Sequence, residues 1–186
     1  GRGRVAGGGG RFGVAGHAVP PSGRMRHVHA GPGKGGGDTR HANTDAAYEA
    51  LSAAMQRFLE TCTAMHDSRK SANHQFREPS ADQKFPESEH PVVRTHPGTG
   101  RKALFVNRGF TTRIVQLAKK ESDALLNMLF DHAEQPKFVC RFKWRPNSVA
   151  FWDNRAVQHQ AMWDYFPQRR FGHRVTVCGD KPFLRA

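Results

Sequence analysis

The sequence predicts a mainly β domain with flanking α-helices, arranged as an antiparallel barrel or sandwich, and three observations lead there. Over residues 137–144, Phe138, Cys140, Phe142 and Trp144 alternate with Lys137, Val139, Arg141 and Lys143, the period of two expected of a half-buried strand. Helical periodicity is confined to two stretches, 45–61 and 119–133. Strand-like and helical stretches do not alternate as βαβ units do, which argues against a parallel sheet.

Residues 1–37 stand apart from the rest of the chain. They hold most of the chain's 19 glycines, and they carry Arg2, Arg4, Arg11, Arg24, Arg26 and Lys34 with no acid, six of the +13 net charge. Such a composition builds no core, so 1–37 is expected to be a Gly/Arg-rich disordered segment ahead of a folded unit at 38–186. In that unit Ala47, Tyr48, Leu51, Met55, Phe58 and Leu59 fall at helical spacing over 45–61, with Thr44 as the cap. Residues 66–90 are polar and rich in His, Lys, Ser and Pro, as a long surface loop is. Short strands come next at 92–95 and 103–107 around the turn Pro97-Gly98-Thr99-Gly100. Leu125, Met128, Leu129 and His132 line one face of a helix over 119–133. Beyond the 137–144 strand, 148–152 and 173–177 read as strands, joined in a hairpin-like return through the polar turn at 164–168.

At 186 residues and 20.8 kDa the chain has room for one domain with a core. A surplus of Lys and Arg raises nucleic acid as a partner, but nearly half of it sits in the glycine-rich segment, where Phe12 is the lone aromatic, so nucleic-acid binding is not expected. No stretch suits a signal peptide or a membrane span, and a cytoplasmic protein is expected. Cys62, Cys140 and Cys178 are odd in number and form no C-x-x-C pair, which disfavours both disulfides and structural zinc.

The chemistry concentrates near the carboxy terminus. Trp152-Asp153-Asn154-Arg155-Ala156-Val157-Gln158-His159 is followed by Gln168-Arg169-Arg170-Phe171-Gly172-His173-Arg174. A neutral imidazole suits a metal such as iron, zinc or copper, and an arginine fork suits a carboxylate or other oxyanion. If the second segment is extended, Arg170 and Arg174 point to one side and Phe171, Val175 and Val177 to the other, so two guanidinium groups face one cavity. The plainer alternative is a hydrogen-bonded strand-end histidine and surface ion pairs.

These two segments resemble the carboxy-terminal signature of the taurine dioxygenase family of Fe(II)- and 2-oxoglutarate-dependent oxygenases. The likeness extends to His90-Pro91-Val92-Val93-Arg94-Thr95-His96-Pro97, to residues 103–115, and to Gly36-Gly37-Asp38-Thr39 leading into 46–52. The resemblance implies a double-stranded β-helix, or jelly roll, and makes 38–186 a partial catalytic domain. It implies that His159 is the distal iron-binding histidine, and that Arg170 and Thr39 hold 2-oxoglutarate. It also implies that Arg174 holds the substrate sulfonate, with Phe110 and Ser71 near the substrate pocket, although Ala72 stands where a phenylalanine often follows that serine. Fe(II), 2-oxoglutarate and O2 are the implied cofactor and cosubstrates, and hydroxylation of taurine or a related sulfonate with release of sulfite is the implied reaction. A homo-oligomer is compatible with the family.

One departure is decisive at this level. The family's first histidine and carboxylate come as an H-x-D motif, and none occurs in this chain. The expected place falls near Arg11-Phe12-Gly13, while His132-Ala133-Glu134 and the histidines at 17, 27 and 29 are weak substitutes. The sequence therefore reads as a jelly roll missing early strands, a dioxygenase by resemblance whose activity in this form the two missing ligands put in question; the alternative is a non-catalytic remnant or a module that binds 2-oxoglutarate or another oxyanion.

Overall fold

The computed structural model describes residues 15–32, 35–72 and 84–185. In chain order its elements are β1 (Gly23–Ala30), β2 (Thr39–Asn43), α1 (Thr44–Glu49), α2 (Ala53–Glu60), β3 (Thr63–Asp67), α3 (Ser68–Ala72), β4 (Glu87–Pro91), β5 (Val93–Thr95), β6 (Lys102–Leu104), β7 (Thr111–Ile114), α4 (Lys119–Ala133), β8 (Val139–Phe142), β9 (Ser148–Asp153), β10 (Val157–Ala161) and β11 (Phe171–Val177). A 3-10 turn at Pro136–Phe138 precedes β8.

The strands form antiparallel sheets in the orders β11-β1-β9, β10-β2-β8 and β4-β3-β7, with β5 paired to β6. The first two sheets face each other. The Trp152 ring of β9 lies 5.0 Å from both the His41 ring of β2 and the His159 ring of β10. The apolar core lies elsewhere, where Ala47, Leu59, Val93, Leu104, Ile114, Leu129 and Phe130 pack the helices against the other two sheets. The space between the first two sheets is thus left for aromatic, imidazole and guanidinium groups.

Several expectations are corrected. The segment 1–37 is not disordered throughout: Gly23–Ala30 is the central strand of its sheet, paired on both edges. Its even positions Arg24 and Val28 are buried while Met25 is exposed, an alternation that the glycine content of the surrounding segment hides. Residues 1–14, including the run at 11–13, lie outside the described residues. The hairpin between β9 and β11 does not form, because β1 inserts between them. The single helix at 45–61 is two. Asn43, not Thr44, caps α1 by accepting from the Ala46 amide at 3.0 Å, and Ser52 caps α2 by accepting from Met55 at 3.3 Å. The break is sealed by the Gln56 amide, which donates to the carbonyls of Tyr48, Glu49 and Leu51 at 3.0–3.3 Å. Within the expected 66–90 loop, β3 ends and α3 and β4 form. Inward-facing His66 and His90 made those strands look polar.

The helix Lys119–Ala133 has the expected bounds. Glu121 accepts the Ala118 amide at its start, and His132 near its end donates to the Ala47 carbonyl at 2.7 Å. Glu134 accepts from Arg108 at 3.1 Å, so His132 and Glu134 both hold structural partners.

Candidate functional site, an arginine-rich pocket between two sheets

The Trp152–Arg155 run builds the corner between β9 and β10. Arg155 grips Asp153 through Nε and Nη2, and His96 donates to the same carboxylate at 3.0 Å. Burial alone would raise the Asp153 carboxyl, but the hydrogen bonds from Arg155 and His96 more than offset it and hold it at about 2. The Asn154 amide nitrogen donates to the Pro21 carbonyl at 3.3 Å, tying this corner to the start of β1. With the corner set, β10 pairs with β2 so that His159 stands opposite His41.

His159 faces the interior. Its ring stacks toward His41 at 6.3 Å between centroids, and Arg24 Nη1 donates to its Nε2 at 3.1 Å. Arg24 is 8% exposed, reaching across from β1 in the opposite sheet. Burial pushes the His41 imidazole below its ordinary value, so it is neutral at neutral pH, and its Nε2 is buried without a hydrogen-bond partner.

Thr39 opens β2, is buried, and its hydroxyl oxygen accepts from the Trp144 indole at 2.9 Å, leaving its proton to donate. Arg170, just before β11, donates through Nη1 to the Gly37 carbonyl and lies 5.6 Å from the Tyr165 ring centre. Gly37 has φ 69°, and a Cβ there would meet the Tyr165 ring at 3.0 Å and Arg170 Cδ at 3.4 Å. The Gly37 amide donates to Asp164 at 2.7 Å, so this glycine lets the loop close around Arg170. Arg174 of β11 is the direct cross-strand partner of Arg26.

Arg26 was not anticipated from the sequence. Burial first, and then the charges of Arg170 and Arg174, lower its guanidinium below the ordinary arginine value, opposed by the Tyr165 phenol. Arg170 and Arg174 are therefore close enough to Arg26 for their charges to act on it. The nearby acids are engaged elsewhere: Asp38 accepts from Arg141 at 2.7 Å, and Asp153 is held by Arg155. The signal for Arg26 was present as alternation over 24–28, masked by the glycines on either side.

Of the other anticipated residues, Phe110 lies apart from these groups. Phe110 is 3% exposed in a small cluster with Ala15 and Phe105, and so offers a ligand little surface. Ser71 lies in α3, with its side chain outside the described residues. His27 and His29 gather with His173 on the outer face of β1 and β11, pointing away from His159. The His17 backbone carbonyl accepts from the His90 ring at 3.0 Å. A cavity lined by Arg40, Pro136, Val139, Arg141 and Met162 is separate from these groups.

Two facing antiparallel sheets with His41, His159, Trp152 and the Arg24 guanidinium between them define a jelly-roll protein. The chain belongs to the taurine catabolism dioxygenase TauD, TfdA family, whose pattern it matches over residues 15–176. It is 40% identical over 166 residues to an alpha-ketoglutarate-dependent sulfonate dioxygenase of Saccharomyces cerevisiae, covering 88% of this chain and 40% of that protein. A crystal structure of a taurine dioxygenase from Burkholderia xenovorans superposes with a TM-score of 0.82 at 37% identity, covering 98% of this chain and 60% of that one. The structure of AAD-2 in complex with Mn(II) and N-oxalylglycine gives 0.84 at 28% identity, over 95% of this chain and 70% of that one. The chain spans about two-fifths of the length of the curated relative it matches. The match from residue 15 also carries the family likeness upstream of the boundary expected at residue 38.

Enzymes of this family use Fe(II) and 2-oxoglutarate. The side chains of the described residues do not fit an iron ion. His159 Nε2 already accepts from a cation, and among the described residues no group of three His, Cys, Asp or Glu side chains is placed to hold a metal. Nor, among those residues, is any helix long and apolar enough to cross a membrane.

Proposed function

We propose that the fold serves a 2-oxoglutarate-dependent dioxygenase that hydroxylates taurine or a related sulfonate, with loss of sulfite, and that this chain supplies the anion-binding half of its site. In this reading Arg170 and Thr39 hold a carboxylate of 2-oxoglutarate and Arg174 holds the sulfonate. Support comes above all from one observation: Arg174 stands opposite Arg26 across the β1–β11 ladder, with Arg170 near enough that its charge, after burial, lowers the Arg26 guanidinium. Like charges gathered in a partly desolvated place are costly unless an anion joins them, and a guanidinium fork matches a carboxylate or sulfonate edge. No step through iron follows from these side chains.

A second reading, a non-catalytic module that binds 2-oxoglutarate or another oxyanion, is favoured by the contact of Arg24 with His159. Calorimetry with 2-oxoglutarate tests what the two readings share. Arg170→Ala is expected to weaken binding by about tenfold or more, the loss of one charge-assisted pair. Unchanged affinity in a folded Arg170→Ala protein sinks both. Succinate formation dependent on Fe(II), 2-oxoglutarate and taurine separates them, since only the first reading allows it.

A further inference from the structure

Arg24 donates to the nitrogen through which His159 would hold a metal. His159 presents Nε2 to the space between the sheets, and the group meeting that nitrogen is the Arg24 guanidinium at 3.1 Å. A donor hydrogen bond uses the same lone pair that a metal bond requires, so Nε2 of His159 cannot serve both at once. Arg24 and Arg26 are two apart on β1 and point to the same face, roughly 7 Å between Cα atoms at the rise of a strand. Arg26 in turn faces Arg174 across the β1–β11 ladder, with Arg170 near enough to act on its charge. Two cationic stations therefore lie along one strand: Arg24 beside His159, and Arg26 with Arg170 and Arg174.

We infer that the Arg24 guanidinium takes the place of the metal at His159, making this pocket a metal-independent site for a short dicarboxylate, one carboxylate at each station. This rests on the anion pocket proposed above and adds its ligand class and its independence of metal. The chemistry of recognition changes with the substitution. A 2-oxo acid offers a bidentate chelate to a divalent metal, so a metal distinguishes it from the acid lacking the keto group. A guanidinium reads the carboxylate fork and is largely blind to that keto oxygen. The pocket is thus expected to take glutarate about as well as 2-oxoglutarate.

Calorimetry on the full chain tests this with 2-oxoglutarate and glutarate, each in EDTA and in Mn(II). The two acids are expected to bind in EDTA within about threefold of each other, and Mn(II) to change neither by more than about threefold. Arg24→Ala is expected to weaken both by about tenfold or more, and Arg24→Lys, which restores the charge without the fork, to recover part of that loss. Circular dichroism melting of each variant checks that it folds, and Arg24→Lys serves as the test if Arg24→Ala does not. The inference is overturned if Mn(II) strengthens 2-oxoglutarate by more than about tenfold while leaving glutarate unchanged, because a metal then reads the keto acid. It is overturned equally if folded Arg24 variants bind as the parent does. In either case the anion pocket stands. Absence of binding by both acids, with and without Mn(II), instead overturns the pocket itself and the proposed function with it.

Discussion

At Arg26 and His66 the structure accepts two different costs of burial. Arg26 stays charged beside Arg170 and Arg174, because even a lowered arginine remains protonated at neutral pH. His66 yields instead. Burial first, then the neighbouring His90 and Lys70 charges, push its imidazole down to about 3, so it is neutral in the folded protein. His90 is lowered as well, again chiefly by burial, while donating to the carbonyls of Ala15 and His17 at 3.0 Å. An unfolded histidine titrates near pH ~6.5, so below that value the unfolded chain takes up a proton that folded His66 refuses. The stability from a neutral His66 is complete above that pH and is lost as pH falls toward 3. Stability, followed as melting temperature, is expected to fall between pH 7 and pH 5, with a slope that approaches about 1.4 kcal/mol per pH unit for each such histidine once the pH is well below the unfolded value. His66→Gln is expected to flatten part of that slope; equal pH dependence in the two proteins would show that His66 is not buried neutral.

Among the elements, β1 is the one on which the pocket depends. Its pairing with β11 shifts register between Val28 and Ala30, beside Gly172. A Cβ on Gly172 would run into the His27 carbonyl oxygen and come within 2.9 Å of Val28 Cα, so the strands approach this closely only because that side chain is absent. Gly172→Ala is expected to cost about 1–3 kcal/mol in denaturant unfolding and to weaken 2-oxoglutarate binding, because Arg174 sits two residues on, opposite Arg26. An unchanged unfolding midpoint would mean the strands separate there freely. The same sheet turns Met25, Phe151 and Val175 outward, cross-strand neighbours that are all exposed, while its inner face carries Arg24 and Trp152. Its alternation is regular, but Met25, Phe151 and Val175 face outward while Arg24 and Arg26 share the inner face with Val28 and Trp152, unlike a strand that faces a purely apolar core.

The molecule as a whole separates support from recognition. Helices and the β4-β3-β7 and β5-β6 sheets enclose the apolar core, and the other two sheets hold Arg24, His41 and His159 between them. A net charge of +13 adds general self-repulsion that any salt screens, whereas a bound dianion acts at one place. Sulfate is therefore expected to raise the melting temperature beyond chloride at equal ionic strength, approaching about 2.7 kcal/mol of stabilisation at a hundredfold excess over its dissociation constant. Arg170→Ala should lose that excess while keeping the general salt effect. Equal effects of the two anions on the parent protein would leave only screening.

Much of this was readable along the chain. The spacing of His159, Arg170 and Arg174 marks the family, and α4 has the bounds its periodicity indicates, because both properties depend on neighbours a few residues apart. A glycine-rich composition, by contrast, says how costly a segment is to order, not whether distant strands will order it. β1 becomes a central strand by pairing with β9 and β11, more than a hundred residues away, and Arg24 reaches His159 across 135 residues of sequence. Register and the closure of the two sheets bring those groups together, and neither is encoded in a local pattern. Sequence alone thus established ancestry, while the packing of the two sheets placed the Arg24 guanidinium against His159.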